Sequence, residues 1–280
     1  MSEPVAPGQI NPSRLAFIGG GNMAGAILGG LLAAGQRPDE VVVVEPLPAQ
    51  AELLRERFGV TVLAAGGPAL QGADTVVWAV KPQVFAEAAA PCAPFVGGAL
   101  QLSVMAGLRS GAIARATGSA RVVRAMPNTP ALIGRGIAGL FARDAVTADD
   151  RSRVEQVLAP TGRLLWVDAE DDLDAVTALS GSGPAYVFLF IEALVAAGAR
   201  MGLSPAQSRQ LALATFDGAT ALAVQSTDPP AALRERVTSK GGTAYAAITA
   251  MQAAGVPEAI VAAVLAAQAR ATQLGSEFGN

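Results

Sequence analysis

The sequence has no histidine among its 280 residues, and this absence restricts its chemistry strongly. A Ser-His-Asp triad, a Cys-His pair, a His-ligated zinc and a histidine general acid are all excluded. Lysine is nearly absent as well, since Lys81 and Lys240 are the only two. Any reaction must therefore rely on carboxylates, hydroxyl groups, a lysine, backbone dipoles or a bound cofactor.

Cysteine occurs once, at Cys92. An internal disulfide and a cysteine-rich metal site are therefore excluded, and no metal site is predicted. A lone cysteine is most often a small buried apolar residue, and we expect this of Cys92. A chain that needs no disulfide fits a reducing compartment, which predicts a cytoplasmic protein.

Basic runs and long uncharged apolar runs are also missing. The net charge is −3, which argues against nucleic acid and anionic membranes as partners. The longest apolar candidate, 184–203, contains Glu192 and Arg200, so a buried helix explains it better than a membrane span. Residues 1–12 hold three prolines and no apolar block, which predicts a disordered lead-in rather than a signal peptide.

From residue 13 to 168, apolar strands alternate with short helical patterns. This alternation predicts βαβ units and a Rossmann-type doubly wound parallel sheet with helices on both faces. The predicted strands are 14–18, 41–45, 60–63, 75–80, 100–104, 121–125 and 164–167. The predicted helices are 22–34, 48–58, 109–117 and 148–158.

From residue 169 to 280 the strand signals vanish and Ala, Leu and Val dominate. The spacing of Gly and Pro fits four or five helices. Two of these helical patterns, 185–199 and 259–269, are apolar nearly all round, so each needs a partner on every side. The second half is therefore predicted to be an all-helical domain that also forms an oligomer interface.

A glycine-rich turn joins the first strand to the first helix. The turn matches the G-x-G-x-x-G/A fingerprint, in which glycine permits a tight turn and a close approach of pyrophosphate to the backbone. Free N–H groups at the helix start would hold the phosphate charge. A plain structural turn is the alternative. The cofactor-binding residues predicted here are Gly19, Gly20, Gly21, Asn22, Met23 and Ala24.

An acidic residue, Glu45, ends the second strand twenty-one residues beyond Ala24, close to the spacing of about 20 expected for a ribose-binding acid. Its carboxylate can accept hydrogen bonds from the adenosine ribose and would repel a 2′-phosphate. This favours NADH over NADPH. The alternative is a solvated charge at a strand end.

Two further turns follow strands of the predicted sheet. Ala79-Val80-Lys81-Pro82 lies at the carboxyl edge, where doubly wound folds bind ligands, and it predicts a cofactor contact. Residues 124–130, Arg-Ala-Met-Pro-Asn-Thr-Pro, form a rigid turn that could direct Asn128 towards a nicotinamide. An exposed surface lysine and a plain proline-containing loop are the respective alternatives.

Glycines and hydroxyl residues interrupt the apolar second half at 177–184 and 237–243. Exposed backbone N–H groups at such helix junctions bind a carboxylate well. Ordinary helix caps are the alternative.

Taken together, the motifs GGGNMA, AVKP, RAMPNTP, DAVTALSGSGPAY and VTSKGGT follow in this order over nearly the whole chain. In this the sequence resembles the pyrroline-5-carboxylate reductase family. The resemblance implies reduction of pyrroline-5-carboxylate to L-proline, the last step of proline biosynthesis, by hydride from NADPH or NADH. It also implies a Rossmann domain followed by a helical dimerisation domain, and a homo-oligomer built from dimers.

The resemblance also implies substrate-site residues. Thr177 would lie near the ring nitrogen as the catalytic residue, and Glu170 falls on a substrate-contact position. The loop that binds the substrate carboxylate would comprise Ser239, Gly241, Gly242 and Thr243.

The chain departs from the family pattern at three positions. Ala244 replaces a second threonine, Gly66 replaces an asparagine that contacts ribose, and Glu45 stands where NADPH-preferring relatives tend to have Ser, Asn or Arg.

Two other functions fit the fold. A β-hydroxyacid dehydrogenase or imine reductase would share the architecture, but such dehydrogenases rely on a helix lysine in the second domain. The only lysine there, Lys240, lies in a Ser/Gly turn. A non-catalytic nucleotide sensor would keep the cofactor fold and lose the substrate loop, which this chain retains.

Overall fold

The computed structural model describes residues 13–278. The predicted disordered lead-in, 1–12, lies outside the described residues. The strands are β1 Leu15–Ile18, β2 Val41–Val44, β3 Thr61–Leu63, β4 Thr75–Trp78, β5 Leu100–Ser103, β6 Val122–Met126, β7 Gly136–Ala142 and β8 Gly162–Trp166. The helices up to residue 176 are α1 Asn22–Ala33, α2 Pro48–Phe58, α3 Phe85–Ala89, α4 Ala93–Val96, α5 Ser110–Thr117, α6 Ala148–Leu158 and α7 Asp172–Val176.

All eight strands form one sheet in the order β3-β2-β1-β4-β5-β6-β7-β8. The first strand, β1, lies inside the sheet. β2 and β3 are added on one side of β1, and β4 is then added on its other side. This reversal is the topological switch point of a doubly wound fold, where ligands bind at the carboxyl ends of the strands. The predicted Rossmann-type sheet is confirmed.

One strand, β7, was not predicted from the sequence. β7 pairs antiparallel with β6 and parallel with β8. Its sequence, GIAGLFA, contains two glycines and two alanines, which weaken strand propensity. The fold nevertheless requires a small residue there, because a Cβ at Gly139 would lie 2.7 Å from Val176 Cγ1. Most other predicted boundaries lie within two residues of the observed ones.

The sheet is buried on both faces. In β1, Leu15 and Phe17 belong to one hydrophobic cluster, while Ala16 and Ile18 belong to the other. Successive side chains of a strand point to opposite faces, so a strand covered on both sides is apolar throughout. Cys92 lies in the second cluster and is fully buried, as expected. Burial raises the pKa of its thiol to about 11.

The contacts divide the chain into two compact units. The first contains the described residues up to Ser182 together with those from Ala267 onwards, and the second is Gly183–Ala266. The sequence predicted a boundary between 168 and 169. Residues 169–182 and the end of the last helix belong to the first unit, and the predicted domain boundary stays a prediction.

The second unit is all-helical, as expected. Five helices follow residue 182, namely α8 Gly183–Arg200, α9 Pro205–Gln225, α10 Pro230–Arg236, α11 Thr243–Ala253 and α12 Val256–Phe278, whose final part belongs to the first unit. Within the second unit α8 packs closely on α9, since a Cβ at Gly198 would lie 2.4 Å from Ser208 Oγ.

Many large apolar side chains of these helices are exposed, among them Phe188 at 59% and Leu189 at 65%. The prediction of a buried helix at 184–203 is therefore not met within a single chain. By length and composition, the helical stretch Asp172–Arg200 could cross a membrane, and so could the bent pair of α11 and α12. This is weak evidence for a membrane span, because core helices of soluble proteins pass the same test.

Candidate active site

The glycine-rich turn follows β1, the strand that lies between β2 and β4 in the sheet. Gly19 has φ +98°, and a Cβ there would lie 2.8 Å from the Ala79 carbonyl oxygen and 2.9 Å from Val80 Cγ1. A side chain at this position would be strained and would collide with the end of β4. The structure therefore brings the predicted residues Gly19, Ala79 and Val80 into direct contact at the carboxyl edge of the sheet.

The amino-terminal end of α1 is open for an anion. Its first intrahelical bond runs from the Gly25 N–H to the Gly21 oxygen at 2.9 Å, so the three N–H groups before Gly25 belong to the unpaired first turn. No side chain caps this end. Apart from Gly21 itself and its two chain neighbours, no described residue has an atom within 4 Å of a Cβ built on Gly21, and Asn22 is exposed. These features suit a phosphate group.

Glu45 lies at the end of β2 and is buried, with 8% of its surface exposed. One carboxylate oxygen accepts a hydrogen bond from the Gly20 N–H at 2.9 Å, and the other accepts from the Leu47 N–H at 2.9 Å. The alternative of a solvated strand-end charge is therefore wrong. A carboxylate has about four lone-pair sites, so two remain for a ribose diol.

Sequence reasoning missed Gln50, in the first turn of α2. Its Nε2 donates to the Gly20 oxygen at 2.6 Å, so Gln50 and Glu45 together fix both sides of Gly20 in the glycine-rich turn. A glutamine in a helix gives no sequence signal for this role, because the contact depends on how closely α2 approaches the turn.

The turn after β4 is exposed at Lys81. This residue precedes a short 3₁₀ turn, Pro82–Val84, and the Val84 N–H donates to the Lys81 oxygen at 3.1 Å. Its ammonium group lies on the surface of the first unit, as either a cofactor contact or a surface lysine would.

Thr177 begins a π-helical segment, Thr177–Gly181, which we call the π segment. The Ser182 N–H donates to the Thr177 carbonyl oxygen at 2.8 Å, five residues back. The Thr177 hydroxyl donates to the Leu173 oxygen at 2.7 Å. Its proton is therefore engaged within the helix, while its oxygen can still accept a hydrogen bond.

Glu170 lies between three donors of the first unit. It accepts from the Ser110 N–H at 2.6 Å, the Ser110 hydroxyl at 2.7 Å and Arg124 Nη1 at 2.8 Å. Burial raises the pKa of the Glu170 carboxyl, but the hydrogen bonds from Ser110 and the charge of Arg124 outweigh it and hold the pKa below its ordinary value. Glu170 is therefore ionised at neutral pH.

The predicted carboxylate loop lies in the second unit, directly before α11. Gly241 has φ +79°, and the Gly242 N–H donates to the Ser239 oxygen at 3.0 Å. No side chain caps α11, whose first intrahelical bond runs from the Ala246 N–H to the Gly242 oxygen. The N–H groups at the start of α11, from Thr243 onwards, are therefore unpaired within the helix and suited to a carboxylate.

No cluster of three acidic or cysteine side chains that could hold a metal occurs within residues 13–278.

Residues 170–274 match the family described as pyrroline-5-carboxylate reductase dimerisation. The pyrroline-5-carboxylate reductase of Pseudomonas aeruginosa is 40% identical over 269 residues, which cover 95% of this chain and 98% of that protein. The chain belongs to the pyrroline-5-carboxylate reductase family. This match takes in both the glycine-rich turn of the first unit and the loop before α11.

Solved structures of pyrroline-5-carboxylate reductases agree. The enzyme of Coxiella burnetii has a TM-score of 0.88 and 35% identity, covering 94% of this chain and 99% of its own. That of Plasmodium falciparum, solved with NADP bound, has a TM-score of 0.84 and 28% identity, covering 96% and 100%. Residues 14–107, which include the glycine-rich turn, also match a family described as NADP oxidoreductase, coenzyme F420-dependent.

Proposed function

We propose that this chain reduces pyrroline-5-carboxylate to L-proline with hydride from a nicotinamide cofactor, the last step of proline biosynthesis. The observation that carries the proposal is family membership over nearly the full length of the relatives, with both the glycine-rich turn and the loop before α11 retained.

The geometry of the first unit fits a dinucleotide. The unpaired N–H groups of Asn22, Met23 and Ala24 would hold the pyrophosphate, and Glu45 would accept from the adenosine ribose. Ala79, Val80, Lys81 and Pro82 border the same edge. The cofactor supplies the hydride, and the protein supplies binding and orientation.

We further propose that NADH is accepted at least as well as NADPH. The Glu45 carboxylate is fixed by two backbone N–H groups, so it cannot easily turn away from a 2′-phosphate. Like charges a few ångströms apart cost about 1–3 kcal/mol in a partly solvated site. Arg55 offers little compensation, because it binds Glu52 and the Val62 oxygen.

The reduction requires little chemical catalysis from the protein's side chains. A protonated cyclic imine is already a good electrophile, and alignment of two reactants can supply about 7–11 kcal/mol. Unpaired N–H groups at the start of α11, together with Ser239, would bind the substrate carboxylate. The Thr177 oxygen would accept a hydrogen bond from the iminium N–H, since its own proton is engaged by Leu173.

The homo-oligomer and the compartment complete the proposal. Exposed apolar helices of the second unit would be covered by the same helices of a second subunit, and dimers would form the assembly. The enzyme would act in the cytoplasm, consistent with a chain that has one cysteine and no disulfide.

The test is oxidation of NADH or NADPH by the purified chain on addition of pyrroline-5-carboxylate. We expect turnover that requires the substrate. A chain that leaves pyrroline-5-carboxylate unreduced but oxidises β-hydroxyacids with NAD(P)⁺ would be a hydroxyacid dehydrogenase. A chain that binds the cofactor and turns over neither substrate would be a nucleotide sensor.

A further inference from the structure

The π segment interrupts the longest helical stretch of the chain. Its five residues, Thr177–Gly181, separate α7 from α8, with a hydrogen bond that spans five residues instead of four. Single π turns inside α-helices are uncommon and are frequently found at functional sites. Pro184 has no N–H to donate to the Ser180 oxygen, so the regular α-helix is interrupted locally, and contacts from outside the helix can then hold the resulting conformation.

One such contact lies at the end of the segment. Asn128 Nδ2 donates to the Ser180 carbonyl oxygen at 3.3 Å, and Asn128 Oδ1 accepts from the Ile137 N–H at 3.0 Å. Beside it, a Cβ at Gly181 would lie 2.6 Å from Met126 Cε. Both ends of the Asn128 amide are thus bound to the backbone, one of them to the π segment.

A second contact lies ahead of the segment. Glu170 precedes α7, and both of its carboxylate oxygens are bound by Ser110 and Arg124. The Arg124 side chain is 5% exposed, and its Nε has no partner among the described residues. Glu170 is its hydrogen-bonded counter-charge, and Asp174 adds a second negative charge nearby. An isolated buried guanidinium is costly, so the pair helps to hold the chain ahead of α7, together with the ion pairs of Arg109 with Asp171 and Asp174.

Both contacts involve one strand and its turn, and Ser110 at the start of α5 adds two hydrogen bonds to Glu170. Arg124 belongs to β6, and Asn128 lies two residues beyond the end of β6. We propose that Arg124, Glu170 and Asn128 are positioning residues, which hold the π segment, and with it Thr177, at the carboxyl edge of the sheet. On this account Glu170 acts through Ser110 and Arg124 and does not contact the substrate. The proposal builds on the reductase function proposed above.

The test compares Glu170→Ala with Asp150→Ala. Asp150 pairs with Arg121, directly before β6, and caps α6 through the Thr147 N–H. Removing it breaks a comparable ion pair near the same strand without touching the π segment. Hydrogen–deuterium exchange of the 177–182 amides reports the π segment directly and needs no substrate.

In Glu170→Ala we expect exchange at 177–182 to speed up by about tenfold or more, because the contact that orders the segment is lost. We also expect kcat to fall by about tenfold, with the KM for pyrroline-5-carboxylate and the cofactor Kd changed by less than about threefold. Added formate should partly restore kcat by occupying the site between Ser110 and Arg124. Asp150→Ala should lower Tm while leaving exchange at 177–182 and kcat unchanged.

Two results would overturn the proposal. A raised KM with unchanged kcat and unchanged exchange would make Glu170 a direct substrate contact. Equal behaviour of the two variants would make the Glu170 pair merely structural.

If Glu170→Ala does not fold, Glu170→Gln and Asn128→Ala provide the same test. Glutamine keeps the size and an acceptor but removes the charge, and Asn128→Ala removes the second contact alone. Both should speed exchange at 177–182, and unchanged exchange in both would refute the proposal. A wild type that fails to reduce pyrroline-5-carboxylate would refute the proposed function, while the exchange arm would still decide the role of these residues.

Discussion

At the scale of single residues, Glu45 combines two tasks in one carboxylate. It fixes the glycine-rich turn through the Gly20 N–H, and in the proposed cofactor site it would place a negative charge beside a 2′-phosphate. Two substitutions of Glu45 affect these two roles to different extents. Glu45→Ser removes the charge and is too short to reach the Gly20 N–H, whereas Glu45→Gln removes the charge and the acceptor for the Leu47 N–H but keeps an acceptor for the Gly20 N–H.

We predict that both Glu45 variants shift the ratio of kcat/KM towards NADPH by about tenfold, in line with one to two kcal/mol. Glu45→Ser should also weaken the binding of both cofactors, because the Gly20 turn loses its support, whereas Glu45→Gln should weaken NADH less. Steady-state kinetics with the two cofactors provide the measurement. A wild type that already favours NADPH tenfold would contradict the NADH assignment.

Thr177 is the second residue whose role can be separated experimentally. Because its hydroxyl proton is donated to the Leu173 oxygen, we expect Thr177 to accept a hydrogen bond rather than deliver a proton. Thr177→Val should then lower kcat by roughly fivefold, the value of one neutral hydrogen bond of ~1 kcal/mol, and Thr177→Ser should restore it. A loss of about 10²–10⁴-fold would instead indicate proton transfer. An unchanged kcat would remove Thr177 from the mechanism.

At the scale of elements, the loop before α11 makes the next prediction. Gly241→Val forces a β-branched residue into a left-handed conformation, at φ +79°. We expect the KM for pyrroline-5-carboxylate to rise by about tenfold or more, with cofactor affinity nearly unchanged. Gly202→Val is the matched control, since Gly202 also has a positive φ, +88°, in the turn after α8. It should lower Tm without raising KM. Equal losses of substrate and cofactor affinity in Gly241→Val would show that the loop is merely structural.

The elements also show what the sequence could predict. β1, the glycine-rich turn and α1 were predictable because hydrophobic pattern, turn chemistry and helix start agree at one place. β7 was missed because its glycines leave room for neighbours that only the fold brings near, namely Val176 beside Gly139 and the backbone of Ala131 and Thr161 beside Gly136. Gln50 and the Arg124–Glu170 pair were missed for the same reason, since their partners lie far away in the sequence. The order of the sequence motifs was enough to predict the family. The hydrogen-bond and ion-pair partners of individual side chains could be identified only from the three-dimensional structure.

At the scale of the whole molecule, the exposed apolar helices of the second unit predict an obligate dimer. Such interfaces often bury about 2,000 Å² or more and leave no stable folded monomer. One chain has a mass of 28.1 kDa, and light scattering at low micromolar concentration should give at least twice this mass. Association with lipid vesicles in place of a dimer would favour the membrane explanation of the stretch Asp172–Arg200. A folded, active monomer would contradict the interface.

The proposed reaction transfers hydride from the cofactor to the C=N carbon of pyrroline-5-carboxylate. The most direct measurement uses cofactor carrying deuterium at the transferable position of nicotinamide C4, followed by mass spectrometry of the product. Each turnover should yield L-proline with one deuterium, located at C5. Cofactor oxidation without labelled proline, or label at any other carbon, would rule out this hydride transfer.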